Sequence, residues 1–376
     1  MFLKELVLRY FRNYESLTLP IEQNRVLFVG KNAQGKTNLL EAIRFLSLGR
    51  SPRTYREEEL IQWGREVATL QGEFLGRGDL PSSIDMILKR SGRKSVKVNG
   101  KKQASLLDFV GKLPSIYFSS EDLSLIKGSP EARRTFLDTL LSQSFSRYGT
   151  TLQQYQKVLK QRNALLKSEK GREAITEGLS VWDPQLAHLG TLLIQHRIQL
   201  LKQLGKHLSP LYQQLTDGRE ETVLEYWGNV SIENESDIRG YYIQQLQRHR
   251  WQELLRKQTL VGPHRDDFLL MLQGKSAKNF ASQGEQRSLV LALKLAEMIY
   301  LRDQMGSWPL LLLDDVFSEL DKERQQFLIE AIPKEAQLFL STTHLEGIPW
   351  AKETQMIEVS LGTIRPLDQP HSLLCL

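Results

Sequence analysis

Gly30-Lys31-Asn32-Ala33-Gln34-Gly35-Lys36-Thr37 is the stretch on which the fold turns. It fits GxxxxGK[ST] at every specified position and stands between an apolar run, Val26–Val29, and a helical pattern over Thr37–Leu48. The residue types follow from chemistry. Gly30 and Gly35 let the backbone N–H groups of Lys31, Asn32, Ala33 and Gln34 turn inward around a phosphate chain. The helix that follows aims its own unsatisfied N–H groups at the same anion. Lys36 is expected to neutralise the terminal phosphates of a nucleotide, and the Thr37 hydroxyl to ligate Mg2+. A loop of this kind between strand and helix predicts an α/β fold.

Two further stretches extend that reading. Leu310-Leu311-Leu312-Leu313-Asp314-Asp315 reads as a buried parallel strand with two carboxylates at its C-terminal end, the edge where α/β sheets bind ligands. Asp314 is placed to hold Mg2+, directly or through water, and Asp315 to orient or deprotonate an attacking water. Ser282-Gln283-Gly284-Glu285-Gln286-Arg287, beginning 32 residues ahead of Asp314, opens an apolar-periodic helix. Ser282 with Glu285 three residues on makes a capping box.

Composition narrows the class. At 376 residues the chain is long enough for about two domains. No apolar run approaches the roughly 20 residues of a membrane span. The opening Met1-Phe2-Leu3-Lys4-Glu5-Leu6 carries an acid where a secretory signal needs an apolar stretch. The single cysteine, Cys375, excludes an internal disulfide and any CxxC metal hook. Together these place the expected home of the chain in the cytoplasm. A net charge of +6 tilts only slightly toward polyanion partners.

Two textures alternate along the chain. Residues 1–127 show strand patterns at Leu3–Tyr10, Val67–Phe74 and Ile84–Leu88, and a hairpin about Asn99-Gly100. Residues 128–258 are dominated by helical periodicity, as at Leu152, Tyr155, Val158 and Leu159, with a strand only at Thr222–Trp227. Residues 259–376 return to α/β, with strands at Phe268–Leu272, Leu338–Ser341, Met356–Val359 and about Ile364. The simplest organisation is a discontinuous α/β head, 1–127 with 259–376, and a helical arm inserted at 128–258.

In order and spacing, the phosphate loop, the serine motif, the acidic strand and Ser318-Glu319-Leu320-Asp321 resemble the ABC ATPases, including the SMC-like DNA-repair branch. That resemblance implies an ABC-type ATPase head (a P-loop NTPase) with an inserted helical lever-arm domain. It implies that Ser282 and Gly284 contact the γ-phosphate held by an opposite subunit. It also implies that His344, in Thr343-His344, is a switch histidine acting with Lys36 and Asp315 in hydrolysis. Gln283 stands where the motif usually has glycine, and Asp315 where it usually has glutamate. The shorter carboxylate implies slow hydrolysis, since about 1 Å of misplacement costs on the order of 100-fold.

Leu8-Arg9-Tyr10-Phe11-Arg12-Asn13-Tyr14, the segment from Glu121 to Asp138 and Gly262-Pro263-His264-Arg265-Asp266-Asp267 resemble the RecF family within that branch. Ser120 departs from the proline usual there. The resemblance implies an ATP-dependent homodimer that binds double-stranded DNA at gaps or junctions with single-stranded DNA, with weak DNA-dependent ATPase activity. Its implied partners are RecR and RecO, with a functional link to RecA loading, DNA replication and the SOS response. Arg133-Arg134, in the first turns of a helix opened by Pro130, oppose the helix dipole and call for an anion or an acidic side chain. Glu131 and Asp138 are the local candidates. DNA-contact candidates are Lys157, Lys160, Arg162, Lys167, Lys170 and Arg172 on the arm, with Arg50, Arg53 and Arg56 after the first helix. Arg53 and Thr54 are also candidates for an adenine pocket.

Other classes fit less well. A transporter's ATP-binding subunit would carry a closer serine motif and less arm. A small-molecule kinase would share only the phosphate loop.

Overall fold

The computed structural model describes residues 1–169, 171–216, 218, 221–230, 237–343 and 354–367. The chain runs through β1 (Phe2–Phe11), β2 (Tyr14–Pro20), β3 (Arg25–Val29), α1 (Lys36–Leu48), β4 (Val67–Leu75), β5 (Pro81–Lys89), β6 (Ser95–Val98), β7 (Lys101–Lys102) and β8 (Ser115–Ser119). It continues through α2 (Ser124–Lys127), α3 (Pro130–Ser144), α4 (Ser146–Leu166), α5 (Arg172–Leu215), β9 (Thr222–Trp227), α6 (Ile238–Arg256), β10 (Asp267–Leu272), β11 (Lys275–Ser276) and α7 (Ala277–Phe280). It closes with α8 (Gln283–Met305), β12 (Leu310–Asp314), α9 (Lys322–Ala331), β13 (Leu338–Thr342), β14 (Thr354–Ser360) and β15 (Thr363–Pro366).

Two compact units result: Met1–Asp122 with Arg287–Leu376, and Leu123–Gln286. These cuts differ from divisions after residues 127 and 258, and at the second of them strand pairing supplies the reason. β10 pairs antiparallel with β9, Leu270 opposite Leu224, and so gathers residues that read as returning head into the second unit.

The first unit holds two six-stranded sheets, ordered β2-β1-β4-β5-β6-β7 and β15-β14-β3-β13-β12-β8. In the second of these, β14, β3, β13, β12 and β8 run parallel, which aligns the C-terminal ends of β3 and β12 on one edge. Helix α1 lies against both sheets. It is accordingly buried nearly all round, with Leu39, Leu40, Ile43, Phe45 and Leu46 sharing one core with Leu6, Leu70, Leu312 and Phe339. Its buried surface takes in polar Glu41, Arg44 and Ser47 as well as the apolar residues. Asn99 and Gly100 take φ of 50° and 74° between β6 and β7, as a two-residue hairpin turn requires.

The second unit is built on α5, a helix of 44 residues that contains Pro184 and Pro210. A proline in a helix interior costs about 3 kcal/mol. Burial of Leu179, Leu186, Leu193, Leu200, Leu204 and Leu208 along its length offsets that cost. Arg162, wholly buried on α4, joins three elements: it donates to Asp183 (2.8 Å) on α5, to Glu253 (2.7 Å) on α6 and to Thr259 (2.8 Å). This takes Arg162 off the list of DNA-contact candidates. Among the described residues no helix is long and apolar enough to cross a membrane.

Candidate functional site

The loop between β3 and α1 is held from outside. Asn13 Nδ2 donates to Gln34 O at 2.9 Å, and Tyr14 OH donates to Gly35 O at 3.0 Å. From the β14–β15 turn, Leu361 N donates to Gln34 Oε1 at 2.8 Å and Gly362 N to Gln34 O at 3.1 Å. Both loop glycines are required by close approach. A Cβ on Gly30 would lie 2.3 Å from Val359 O, and one on Gly35 would lie 2.6 Å from Asn13 Nδ2. Lys36 Nζ donates to Gly30 O at 2.6 Å and to Lys31 O at 2.8 Å. Burial lowers its pKa, while Asp315 and Asp314 oppose that shift.

These residues line a cavity of about 300 Å³ together with the acidic strand: Asn32, Ala33, Gly35, Lys36, Thr37, Asn38, Arg53, Asp314, Asp315 and Ser341. Gly30, Lys31 and Gln34 shape the loop without lining the cavity. Asp314 Oδ1 accepts from Thr37 Oγ1 at 2.9 Å and from Ser341 Oγ at 2.7 Å. Asp314 Oδ2 accepts from Tyr117 OH at 2.6 Å. Burial and the neighbouring Asp314 charge push the Tyr117 pKa up, so its hydroxyl stays a donor. Asp315 follows with φ of 51°, in the left-handed region, and its N–H donates to Ser341 Oγ at 3.0 Å. Its side chain is exposed.

The set suits Mg2+ on the chemistry of its donors. That ion prefers hard oxygens, takes one or two protein carboxylates, and fills its remaining positions with phosphate oxygens and water. Thr37 and Asp314 offer one hydroxyl and one carboxylate, and the described residues include no cluster of three or more metal-binding side chains.

Arg12 explains why the segment Leu8–Tyr14 belongs to this site. Its Nε and Nη2 both donate, at 2.8 Å, to the carboxylate of Glu41, which is fully buried on α1. Arg53 Nη1 lies 3.6 Å from the same carboxylate and donates to Asn38 Oδ1 at 3.0 Å. Thr54 Oγ1 instead donates to Glu59 at 2.6 Å and does not line the cavity. Tyr117, Asn38, Glu41 and Ser341 carry no local signal that marks them from sequence. Ser341 alone stood at the end of a strand already read.

Ser282 and Gly284 belong to the other unit. Ser282 is exposed, its N–H donates to Glu285 Oε2 at 2.5 Å, and Glu285 N–H donates back to Ser282 Oγ at 3.3 Å. Hydrogen bonding from the Ser282 side chain, and then from its backbone N–H, holds the Glu285 carboxyl below its usual pKa. His344 lies outside the described residues, as does Lys170.

Within Leu123–Gln286 the two remaining family-like segments are tied to each other. Arg133 Nε and Nη2 donate to both oxygens of Asp267, at 2.6 and 2.8 Å. Arg134 Nη1 donates to Asp266 O at 2.8 Å. The acidic partner of Arg133 is therefore neither Glu131 nor Asp138. Asp138 instead accepts from Arg197 at 2.8 Å and from Tyr148 at 2.5 Å.

Residues 2–361 match the profile of the family described as RecF/RecN/SMC N terminal domain. The DNA replication and repair protein RecF of Thermosynechococcus vestitus is 41% identical over 369 residues, covering 97% of each chain. Two solved structures of the recombination mediator protein RecF in the RecFOR pathway, described as RecF-ATPrS and RecF-ATP, superpose with TM-scores of 0.90 and 0.89. Each is 32% identical to this chain, with 98% of both chains covered. With that agreement in sequence and in fold, the chain belongs to the RecF family of SMC-like ABC ATPases.

Proposed function

We propose that this chain binds ATP with Mg2+ at Gly30–Thr37 and Asp314, hydrolyses it with Asp315, pairs head to head with a second copy, and in that form clamps duplex DNA near single-strand gaps. The observation that carries this reading is the meeting of Thr37 and Asp314, 277 residues apart in sequence, at 2.9 Å on the rim of one cavity. The solved relative described as RecF-ATP supports the choice of nucleotide.

Each residue then has a task. The backbone N–H groups of Lys31 to Thr37 wrap the phosphates. Lys36 exchanges its two carbonyl partners for phosphate oxygens, which replace the solvation it lost on burial. Thr37 and Asp314 hold Mg2+, which when bound neutralises charge on the phosphates. Asp315 orients the attacking water and takes its proton. Ser282 and Gly284, at the N-terminal end of α8, face the γ-phosphate of a second copy, where the helix dipole favours an anion. His344 adds a further contact to that phosphate. Hydrolysis is weak, stimulated by DNA, and releases the clamp. The chain works in the cytoplasm with RecR and RecO to promote RecA loading, and so supports replication and the SOS response.

Light-scattering mass with no nucleotide, ADP or ATP tests the pairing. The mass should double with ATP alone, and both Lys36→Met and Ser282→Arg should remain monomeric. A Ser282→Arg variant that dimerises as the parent does would rule out the shared site.

A further inference from the structure

The carboxylate of Asp314 is gripped at three points, and one of them comes from a strand outside every motif. Thr37 on α1 and Ser341 on β13 both donate to Oδ1. With those two alone the group could turn about its terminal torsion and exchange its oxygens, because that torsion is broad and two-fold. Tyr117 on β8 donates to the other oxygen, Oδ2, at 2.6 Å. A donor on each oxygen makes that turn costly.

The register shows how the tyrosine comes to the carboxylate. In the parallel pair of β8 and β12, Ser119 stands beside Asp314, while Tyr117 stands beside Leu312. Ser119 is tied to the turn that follows it, its backbone N–H donating to Asp122 Oδ2 at 2.8 Å. The Tyr117 ring is buried among the core residues of the first unit and leans along the strand to place its hydroxyl at the carboxylate. It reaches the ligand without lining the cavity itself.

We propose that Tyr117 is a positioning residue for the divalent cation, fixing the orientation of Asp314 and so setting how tightly the nucleotide complex holds its metal. The inference rests on the nucleotide site proposed above. Partners that orient a metal ligand typically contribute about 10–100-fold to metal affinity.

The test is Tyr117→Phe, which removes the hydroxyl and keeps the ring. Mn2+ is titrated into the ATP complex and followed by electron paramagnetic resonance. ATP binding in EDTA is followed with a fluorescent nucleotide, and calorimetric melting checks the fold. The expected result is Mn2+ affinity about tenfold weaker with metal-free ATP affinity and melting unchanged. In an Asp314→Asn background, Tyr117→Phe should add no further loss, because the two substitutions act on one contact. Unchanged Mn2+ affinity overturns the proposal. So does a parallel loss of metal-free ATP binding, which would make Tyr117 structural only. Absence of ATP binding by the parent protein would instead overturn the nucleotide site, and this inference with it.

Discussion

Arg133 and Asp267, 134 residues apart in sequence, meet in a buried two-pronged ion pair within the second unit. Side-chain exposures of 6% and 8% leave little water to replace either partner. Removing one side of such a pair strands a charge, at a cost of about 3–5 kcal/mol. Arg133→Met and Asp267→Leu should each show that loss in urea unfolding, and the double variant should recover much of it. Losses that simply add would show that the two residues are not coupled.

Gly190 and Gly205 lie on the same helix and should respond to alanine in opposite directions. A Cβ on Gly190 would stand 2.3 Å from the Tyr242 ring and 3.2 Å from that of Tyr155, whereas one on Gly205 would meet nothing within 4 Å. Gly190→Ala is expected to destabilise by about 1–3 kcal/mol through overpacking. Gly205→Ala should stabilise by about 0.5–1 kcal/mol through helix propensity. Denaturant midpoints for the two variants check both signs.

His264 makes the second unit sensitive to acid. Its ring accepts or donates at Tyr155 OH, 2.6 Å away, and burial lowers its pKa from 6.5 to about 4. Between those values the unfolded chain binds a proton that the folded chain does not, so stability falls as the pH drops from 6.5 toward 4. Asp266, whose pKa is raised chiefly by burial, contributes in the opposite sense. His264→Gln should flatten the acid limb of a stability–pH curve, and an unaltered limb would count against this assignment.

Asp315 should affect turnover and not nucleotide affinity. Its carboxylate is exposed at the cavity while Ser341 holds its backbone. Asp315→Asn is expected to slow hydrolysis by roughly 10²–10⁴-fold, the usual contribution of a general base. ATP-driven dimers should then persist longer on DNA. A weaker ATP affinity at unchanged turnover would assign Asp315 to binding.

Much of this site was legible because its largest part is contiguous. Gly30 to Thr37 carries loop, charge and hydroxyl in eight successive residues, and the apolar run before Asp314 announces its own strand. What escaped depends on pairing across long separations. Tyr117 and Asp314 are 197 residues apart, and β8 is a five-residue strand with serines at both ends and no alternation to mark it. The acid expected near Arg133 exists, but its identity is set by packing of α3 against β10 and not by helix neighbours. Pro184 marks a helix break locally, yet α5 runs through it because its buried leucines offset the lost bond. The placement of β10 beside β9 likewise moved the unit boundary beyond anything that local texture records.

Binding to a gapped DNA duplex with no nucleotide, with ADP and with ATP tests the clamp most directly, run at two salt concentrations. The expected result is tight binding with ATP alone, weakened by salt as phosphate contacts are screened, and absent in Lys36→Met. Binding that is equally tight with ATP, with ADP and without nucleotide would contradict the account, leaving a DNA-binding protein whose nucleotide site serves some other purpose.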